Sequence, residues 1–248
     1  MENANGEGAG PAVRAIEVWR PVSEGGEKSR QLLSREERAN LAVMASIVRF
    51  EKGAEIYRQG EDAKAVFNIV DGVVKAYKVK PDGGKHIAAF LFADDVFGLA
   101  ETGHYTNSTQ AITPVTAYRL PVKALRGRLG KDAGLQFKVI CKLCHELRQA
   151  QRHAFLLTQR RAVTKVALFL QMMGNLDGES DSAEIYLPMS RSDIGDYVGM
   201  SLAAVSRAFH ALSARGVIEI DGHHAVKITN PAAFNKLAGD PDGGALAH

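Results

Sequence analysis

The segment MSLAAVSRAFHALSARG, residues 200–216, places Ser206 and Arg207 side by side among small residues. An arginine fork can bond both O6 and N7 of guanine, a contact worth roughly 1–3 kcal/mol of discrimination. A serine hydroxyl can bond a phosphate or a base edge, and small neighbours let a helix backbone approach the bases. A solvated surface arginine is the competing interpretation, but the helix dipole disfavours a cation in the first turns. We therefore expect an anionic partner, double-stranded DNA.

Local signals predict the elements that would position these residues. The pattern S-x-x-D at Ser190 and Asp193 is a capping box for a short helix that ends at Gly199. Ser201 begins a second helix that runs to about residue 214, and VIEI and AVKI flank a turn at Asp221. Together they predict a winged helix-turn-helix, whose second helix enters the major groove. We expect its DNA contacts from Ser201, Ala203, Ser206, Arg207 and His210, with Arg191 on the first helix. The inward stripe would be Val205, Phe209 and Leu212, with Leu202 and Ala208 near its margins.

Residues 47–120 have a different sequence pattern, one of short strand-like segments. Short alternating segments such as AEIYR, VFNIV and VTAYRL are separated by glycines, and PDGGK is typical of a hairpin turn. The intervals are too short for interposed helices. This pattern predicts an all-β roll or barrel.

A long helix is predicted over about residues 132–158. Its apolar positions follow a 3-4-3-4-3 spacing that is typical of a coiled-coil seam, and a second apolar stripe runs beside it. We expect one stripe to pack on the β-roll and the other on a second subunit, which makes a homodimer; a helix buried within one monomer is the alternative. The seam residues are Phe137, Ile140, Cys144, Leu147, Gln151 and Ala154, and the second stripe is Val139, Leu143 and Ala150.

Composition excludes several classes of protein. The 248 residues carry a net charge of +3 and no apolar run long enough for a membrane span, and the Gly-rich N-terminus lacks a signal-peptide pattern, so we expect a cytoplasmic protein. Two cysteines cannot build a disulfide framework or a four-thiolate cluster. From residue 159 onward the sequence contains eight Lys or Arg and ten Asp or Glu, so this part is slightly acidic. DNA binding would then depend on a few specifically positioned cationic side chains and not on a broad basic surface. No catalytic motif appears, and we predict that the chain is not an enzyme.

These patterns give an α+β fold class with five parts. Residues 1–33 form a flexible tail, and 34–129 form the β-roll sensor domain, which opens with a short helix capped by Ser34 and Glu37. Residues 130–158 form the dimerisation helix. Residues 159–238 form the winged helix-turn-helix, and 239–248 a second tail.

Taken together, the chain resembles the Crp–Fnr superfamily of bacterial transcription regulators. RFEKGAEIYRQGEDAKAVFNIVDGVVKAYK is similar to the family's cyclic-nucleotide-binding-type roll, and SRSDIGDYVGMSLAAVSR to its helix-turn-helix signature. The resemblance implies a homodimeric regulator, here taken as an activator, that binds a palindromic operator and contacts RNA polymerase.

The effector segment VFGLAETGHYTNSTQAI departs from the cyclic-AMP-binding members. These carry Phe-Gly-Glu and a later Arg-Ser, where Leu99 and Asn107 stand here, and no arginine lies between residues 98 and 117. A buried phosphate without a cation is poorly compensated, so we do not expect cyclic AMP. The candidate pocket residues are Gly98, Leu99, Glu101, Asn107 and Ser108. The N-terminal tail also lacks the cysteines of Fnr-type iron–sulfur sensors, so we predict no cofactor and no metal site.

The recognition helix departs from the family as well. Fnr-type helices read E-x-x-S-R, whereas this one reads A-x-x-S-R at Ala203, Ser206 and Arg207. The retained Ser-Arg pair implies a TTGA-like half-site with Arg207 on its guanine, and the lost carboxylate implies a relaxed or shifted preference at one base. By resemblance, the chain is nearest to the FixK-type and denitrification-regulator branches, which act in low-oxygen, nitrogen-fixation or nitrogen-oxide responses.

Three alternatives stay open at this point. The regulator could be gated by an apolar ligand or haem, although His86, His104, His145 and His153 lack ligand spacing. The β-roll could be a ligand-binding module whose winged helix contacts protein instead of DNA. Cys144, on the seam, could form an intersubunit redox disulfide or be a buried, inert core residue.

Overall fold

The computed structural model describes residues 44–174, 184–222 and 224–239. The chain divides into two compact units. Their described parts are residues 44–76 with 90–144, and residues 77–89 with 145–174, 184–222 and 224–239. The predicted helix at Ser34 and Glu37, and the predicted tails apart from residue 239, lie outside the described residues.

Eight strands form the predicted β-roll. They are β1 (Ser46–Phe50), β2 (Glu55–Tyr57), β3 (Ala65–Asp71), β4 (Val74–Val79), β5 (Lys85–Leu91), β6 (Val96–Phe97), β7 (Ser108–Ala111) and β8 (Val115–Pro121). Two four-stranded sheets result, with the orders β1-β8-β3-β6 and β2-β7-β4-β5. This arrangement confirms the predicted roll.

Aromatic rings fill the first unit's core, and turn glycines bring its strands close. The Phe67 ring stacks on Phe97 with centroids 5.2 Å apart. Gly72 has φ +95°, and a Cβ there would lie 2.2 Å from the Pro114 carbonyl oxygen. A side chain at this position would therefore force the two turns apart.

The predicted PDGGK turn joins β4 to β5. In it the amide of Lys80 donates to the carbonyl of Gly84 at 2.7 Å.

Two helices follow the roll strands: α1 (Val122–Leu129), which the sequence did not predict, and α2 (Ala133–Thr158), which it did. The side chain of Asp132 accepts from the amide of Leu135 at 2.9 Å and begins α2. The two predicted stripes of α2 are wrong in one respect. In the second stripe Val139 is half-buried, but Leu143 is 49% exposed and Ala150 is exposed, so this stripe is not the buried face of α2.

Polar side chains occupy part of the covered face of α2. Lys142 is buried, and its Nζ lies 2.8 Å from the Asp95 carboxylate. Leu135, His153 and Leu156 are also buried on this face. Because two of the four buried positions are polar, the hydrophobic pattern alone chose the wrong second stripe.

In the second unit, helices and a small sheet surround one buried helix. The elements are α3 (Ala162–Gly174), β9 (Glu184–Tyr186), α4 (Arg191–Val198), α5 (Leu202–Ala214), β10 (Ile218–Asp221), β11 (Ala225–Ile228) and α6 (Pro231–Ala238). The sheet order is β10-β11-β9. All residues from 166 to 170 on α3 are buried, and α3 packs against α5 and α6. No helix within the described ranges is long and apolar enough to cross a membrane.

Candidate nucleic-acid interface

The helix-turn-helix begins with the predicted capping box. The Ser190 Oγ accepts from the amide of Asp193 at 3.0 Å, and the Asp193 carboxylate accepts from the amide of Ser190 at 3.3 Å. Two donors at the start of α4 are thereby satisfied. Gly199 ends the helix in the left-handed conformation, with φ 68°. Both ends of α4 are therefore fixed by local chemistry that the sequence displays.

The turn between the two helices needs a second glycine. A Cβ on Gly195 would lie 2.6 Å from the carbonyl oxygen of Met200. The missing side chain lets the chain fold back tightly, and the amide of Met200 donates to the carbonyl of Gly195 at 2.9 Å. Ser201 then begins α5, its Oγ accepting from the amide of Ala204 at 3.3 Å. Gly195 thus sets the approach of α5 to α4.

Helix α5 has one buried face and one open face. Val205, Phe209 and Leu212 are buried, as the spacing predicted. The residues on the open face are exposed and include five of the predicted DNA contacts: Ser201, Ala203, Ser206, Arg207 and His210. Over its first two turns the helix therefore presents one arginine to the outside among mostly small side chains, with Leu202 also exposed at its first position.

Leu202 differs from its predicted place near the inward stripe. It is 53% exposed at the first position of α5, next to Ala203. Its four-residue spacing from Ser206 was the signal that places it on the open face. An exposed leucine at this point could contact the methyl group of a thymine.

Arg191 is the predicted DNA contact that the structure engages elsewhere. Its guanidinium carbon lies 3.4 Å from the centroid of the Phe209 ring. Partial burial lowers the pKa of Arg191. The observed contact packs α4 on α5 by a cation–π interaction, and direct DNA binding by Arg191 stays a prediction.

A buried histidine supports the helix-turn-helix from behind. The His153 ring of α2 stacks on Tyr197 of α4 with centroids 3.9 Å apart and planes 6° from parallel. Its Nε2 lies 2.8 Å from the Tyr197 carbonyl oxygen. A carbonyl only accepts, so Nε2 carries the proton and Nδ1 is bare in the neutral ring. Lys165 donates from Nζ to the Val198 carbonyl at 2.9 Å, which caps the same end of α4.

This histidine should make stability depend on pH. Burial lowers the pKa of His153, the hydrogen bond to the Tyr197 carbonyl raises it, and charge repulsion from His86 and Lys165 lowers it further. The unfolded chain therefore binds this proton more readily. The stabilisation is complete above about pH 6.5, the usual histidine pKa, and is lost as the pH falls from there to the folded-state pKa, by about 1.4 kcal/mol per unit of separation.

We expect the free energy of unfolding to fall less between pH 7.5 and pH 5.5 in His153→Gln than in the unchanged protein. Urea unfolding at the two pH values measures this difference. The exposed His104 is the matched control, and His104→Gln should retain the full acid sensitivity. Equal losses in the unchanged protein and in His153→Gln would contradict the prediction.

The five predicted effector-pocket residues do not share one environment. Gly98 is buried with φ +86°, whereas Leu99 is 42% exposed and Glu101 is exposed. Ser108 is buried, and its Oγ accepts from the amide of Gln59 at 3.0 Å. The Asn107 Oδ1 is buried without a hydrogen-bond partner in the described chain. Ser108 is thus engaged in holding the roll together.

The seam residues on α2 lie open in the single chain. Phe137, Ile140 and Leu147 are 67%, 55% and 60% exposed, and Cys144 and Ala154 are exposed beside them. Cys144 is a free thiol here and is not covered by its own chain. Within residues 44–174, 184–222 and 224–239, no group of three or more His, Cys, Asp or Glu could hold a metal ion.

The β-roll, the capped helix pair and the small sheet define a transcription regulator with a winged helix-turn-helix for DNA binding. Residues 47–132 match the family model of the cyclic nucleotide-binding domain, and residues 164–237 match the Crp-like helix-turn-helix domain. The chain belongs to the FixK-like branch of the Crp–Fnr superfamily, a family of transcription regulators and not of enzymes.

Known relatives span most of the chain. It is 35% identical to the nitrogen fixation regulation protein FixK of Bradyrhizobium diazoefficiens, over 77% of this chain and 81% of that protein. It is 30% identical to the transcriptional activatory protein AadR of Rhodopseudomonas palustris, over 79% and 82%. The structure of FixK2 from Bradyrhizobium japonicum superposes with a TM-score of 0.73 and 32% identity, covering 79% of this chain and 98% of that one.

Proposed function

We propose that the chain is a homodimeric activator that binds a TTGA-like palindrome and does so without cyclic AMP or an iron–sulfur cluster. The observation that carries this proposal is the open face of α5, where Ser206 and Arg207 are exposed together beside the small Ala203. Within the described residues Arg207 forms no ion pair, and its exposed side chain lies in the N-terminal half of the helix. Guanine and phosphate would supply the missing partner.

A dimer would place two such helices in successive major grooves, with half-sites about one helical turn apart. The exposed seam of α2 supports this arrangement, because an apolar face of this length on one helix calls for a cover. We further propose that RNA polymerase is contacted at the promoter. A role in nitrogen fixation is favoured by the relatives named nitrogen fixation regulation protein FixK. We propose a role in low-oxygen or nitrogen-oxide responses from the resemblance of the sequence to that branch.

The effector segment supports binding that needs no cyclic nucleotide. No arginine or lysine lies between residues 98 and 117, and the hydroxyl of Ser108 is already bonded to the chain at Gln59. A phosphate in this segment would lack a cation to neutralise it. Control of activity would then depend on expression, oxidation or turnover.

Fluorescence anisotropy of the reduced, full-length protein tests the proposal. A labelled TTGA-type palindrome and a scrambled duplex are titrated at near-physiological salt, first without added ligand, then with cyclic AMP and then with haem. Tight binding that is selective for the palindrome and unchanged by cyclic AMP is expected. Equal, salt-sensitive binding to both duplexes would contradict the proposed site, and recovery of selectivity by haem would favour a gated regulator. Absence of DNA binding would favour a protein-interaction role for the winged helix.

The missing carboxylate at Ala203 gives a specificity prediction. Ala203→Glu restores an acceptor for a cytosine or adenine amino group, so the selected consensus should sharpen or change at one base pair per half-site, by roughly 1–3 kcal/mol. Selection from a library of randomised half-sites measures the change. Ala214→Glu adds the same charge at the far, exposed end of α5 and should leave the consensus as it was. An identical consensus for all three proteins would refute the prediction.

A further inference from the structure

A cavity of about 380 Å³ opens in the first unit, between β2, the turn that follows it, the start of β3, Tyr105 and β8. None of the five predicted effector-pocket residues lines it. Its size lies in the range of small-molecule sites, which often form at the mouths of β-barrels. This cavity is called the Arg119 cavity below, after the least exposed of its charged lining residues. Arg119 lies opposite Phe67 in the β3–β8 pair, so both side chains lie on the same side of the sheet.

Aromatic rings make the wall of the Arg119 cavity rigid. The rings of Tyr57 and Tyr105 stack with centroids 3.6 Å apart, and Tyr57 also stacks on Phe67 at 6.0 Å. The Tyr105 hydroxyl donates to the Ala65 carbonyl at 2.8 Å and accepts from the Ala65 amide at 3.3 Å. Two backbone bonds across the roll hold this segment as well, because Gly60 donates to Tyr105 and Tyr105 donates to Glu61. The wall therefore exists before any ligand arrives.

Two opposite charges remain available at the cavity. Asp62 is already balanced, because its carboxylate lies 3.5 Å from Lys64 Nζ and 3.4 Å from His104 Nε2. Arg119 and Glu61 both line the cavity together with Tyr105. Burial raises the pKa of the Tyr105 phenol, with smaller opposite effects from Arg119, which lowers it, and Glu61, which raises it. Among the described residues, neither Arg119 nor Glu61 forms an ion pair. The cavity thus offers one cation and one anion beside an aromatic wall.

We propose that the Arg119 cavity binds a zwitterion with an apolar body, namely an α-amino acid with an aromatic or large aliphatic side chain. The carboxylate would bond the guanidinium of Arg119, since an arginine fork matches a carboxylate in two parallel hydrogen bonds. The ammonium group would face Glu61, and the side chain would lie along Tyr57 and Tyr105. A simple anion on Arg119 would leave Glu61 without a partner, and a simple cation on Glu61 would leave Arg119 without one. Only a ligand with both charges satisfies both sides.

Calorimetric titration of the full-length protein tests this site independently of DNA binding. The probes are L-phenylalanine and L-leucine, with phenylacetate and phenethylamine as partners that each lack one charge. We expect at least one amino acid to bind saturably, and each one-charge analogue to bind roughly tenfold more weakly or worse, a difference of about 1.4 kcal/mol.

Variants locate the site. Arg119→Gln and Glu61→Gln should each weaken amino-acid binding by about tenfold or more. Arg49→Gln and Glu51→Gln remove like charges from exposed positions on the same roll and should have no effect. Since Glu61 is exposed in a turn, its variant should keep the melting temperature of the parent. Absence of binding by both amino acids, equal binding of phenylacetate, or unchanged binding in both cavity variants would overturn the proposal.

Discussion

Arg207→Ala is expected to abolish the preference for a TTGA-type palindrome over a scrambled duplex. Each bidentate contact to guanine is worth roughly 1–3 kcal/mol, so two half-sites would together lose about 2–6 kcal/mol of selectivity. The remaining binding should be weak. The slope of log affinity against log salt concentration should become shallower by about one unit for each cation that no longer neutralises DNA charge. Anisotropy titrations with both duplexes at several salt concentrations measure the two effects.

Two further variants separate base reading from charge. Arg207→Lys keeps the cation but loses the planar fork, so it should retain non-specific binding while losing much of the selectivity. Arg215→Ala removes an exposed arginine at the end of the same helix, and it should leave selectivity unchanged. Wild-type selectivity in Arg207→Ala would remove the basis of the proposed function.

Ile140→Glu combined with Leu147→Glu is expected to convert a dimer into a monomer and to weaken palindrome binding by about 100-fold or more, since each buried apolar side chain contributes roughly 1.5–3 kcal/mol. Both residues are more than half exposed in the single chain. The substitutions would also bury two carboxylates from each subunit in the proposed dimer interface, where water is excluded and they would have no partner. Sedimentation velocity measures the assembly state, and anisotropy measures the consequence for DNA.

The matched control for the seam is Val79→Glu. Val79 is 57% exposed, which is comparable to Ile140 and Leu147, but it lies at the end of β4 and not on α2. It should sediment and bind DNA like the parent. A double variant that remains dimeric would show that the exposed face of α2 is not the interface.

Local sequence signals were sufficient for the elements of the DNA-binding part. The capping box at Ser190 and Asp193, the left-handed Gly199 and the spacing of Val205, Phe209 and Leu212 each report interactions within a few residues. The same holds for the alternating strands of the roll and for the length of α2. Such features could be predicted because their hydrogen bonds and their periodicity depend on residues that are close together in the sequence.

Other features depend on residues that meet only after folding. Arg191 was expected on DNA, yet its guanidinium covers Phe209, eighteen positions away along the chain. His153 was read as a scattered histidine, yet it is buried against Tyr197. Neither contact has a local pattern, since a polar side chain is buried only where a distant partner satisfies it.

The sequence by itself therefore determined the class of this protein through two features, the β-roll and the capped helix pair. Tertiary structure decided which face of α2 is covered, because Lys142 reaches Asp95 from a position that hydrophobicity would assign to solvent. It also decided that Arg119, whose strand the sequence predicted only as part of the roll, lines a cavity together with Tyr105 and Glu61. Charged side chains such as these meet partners that are far away in the sequence. The spacing of residues within one segment therefore cannot predict such contacts.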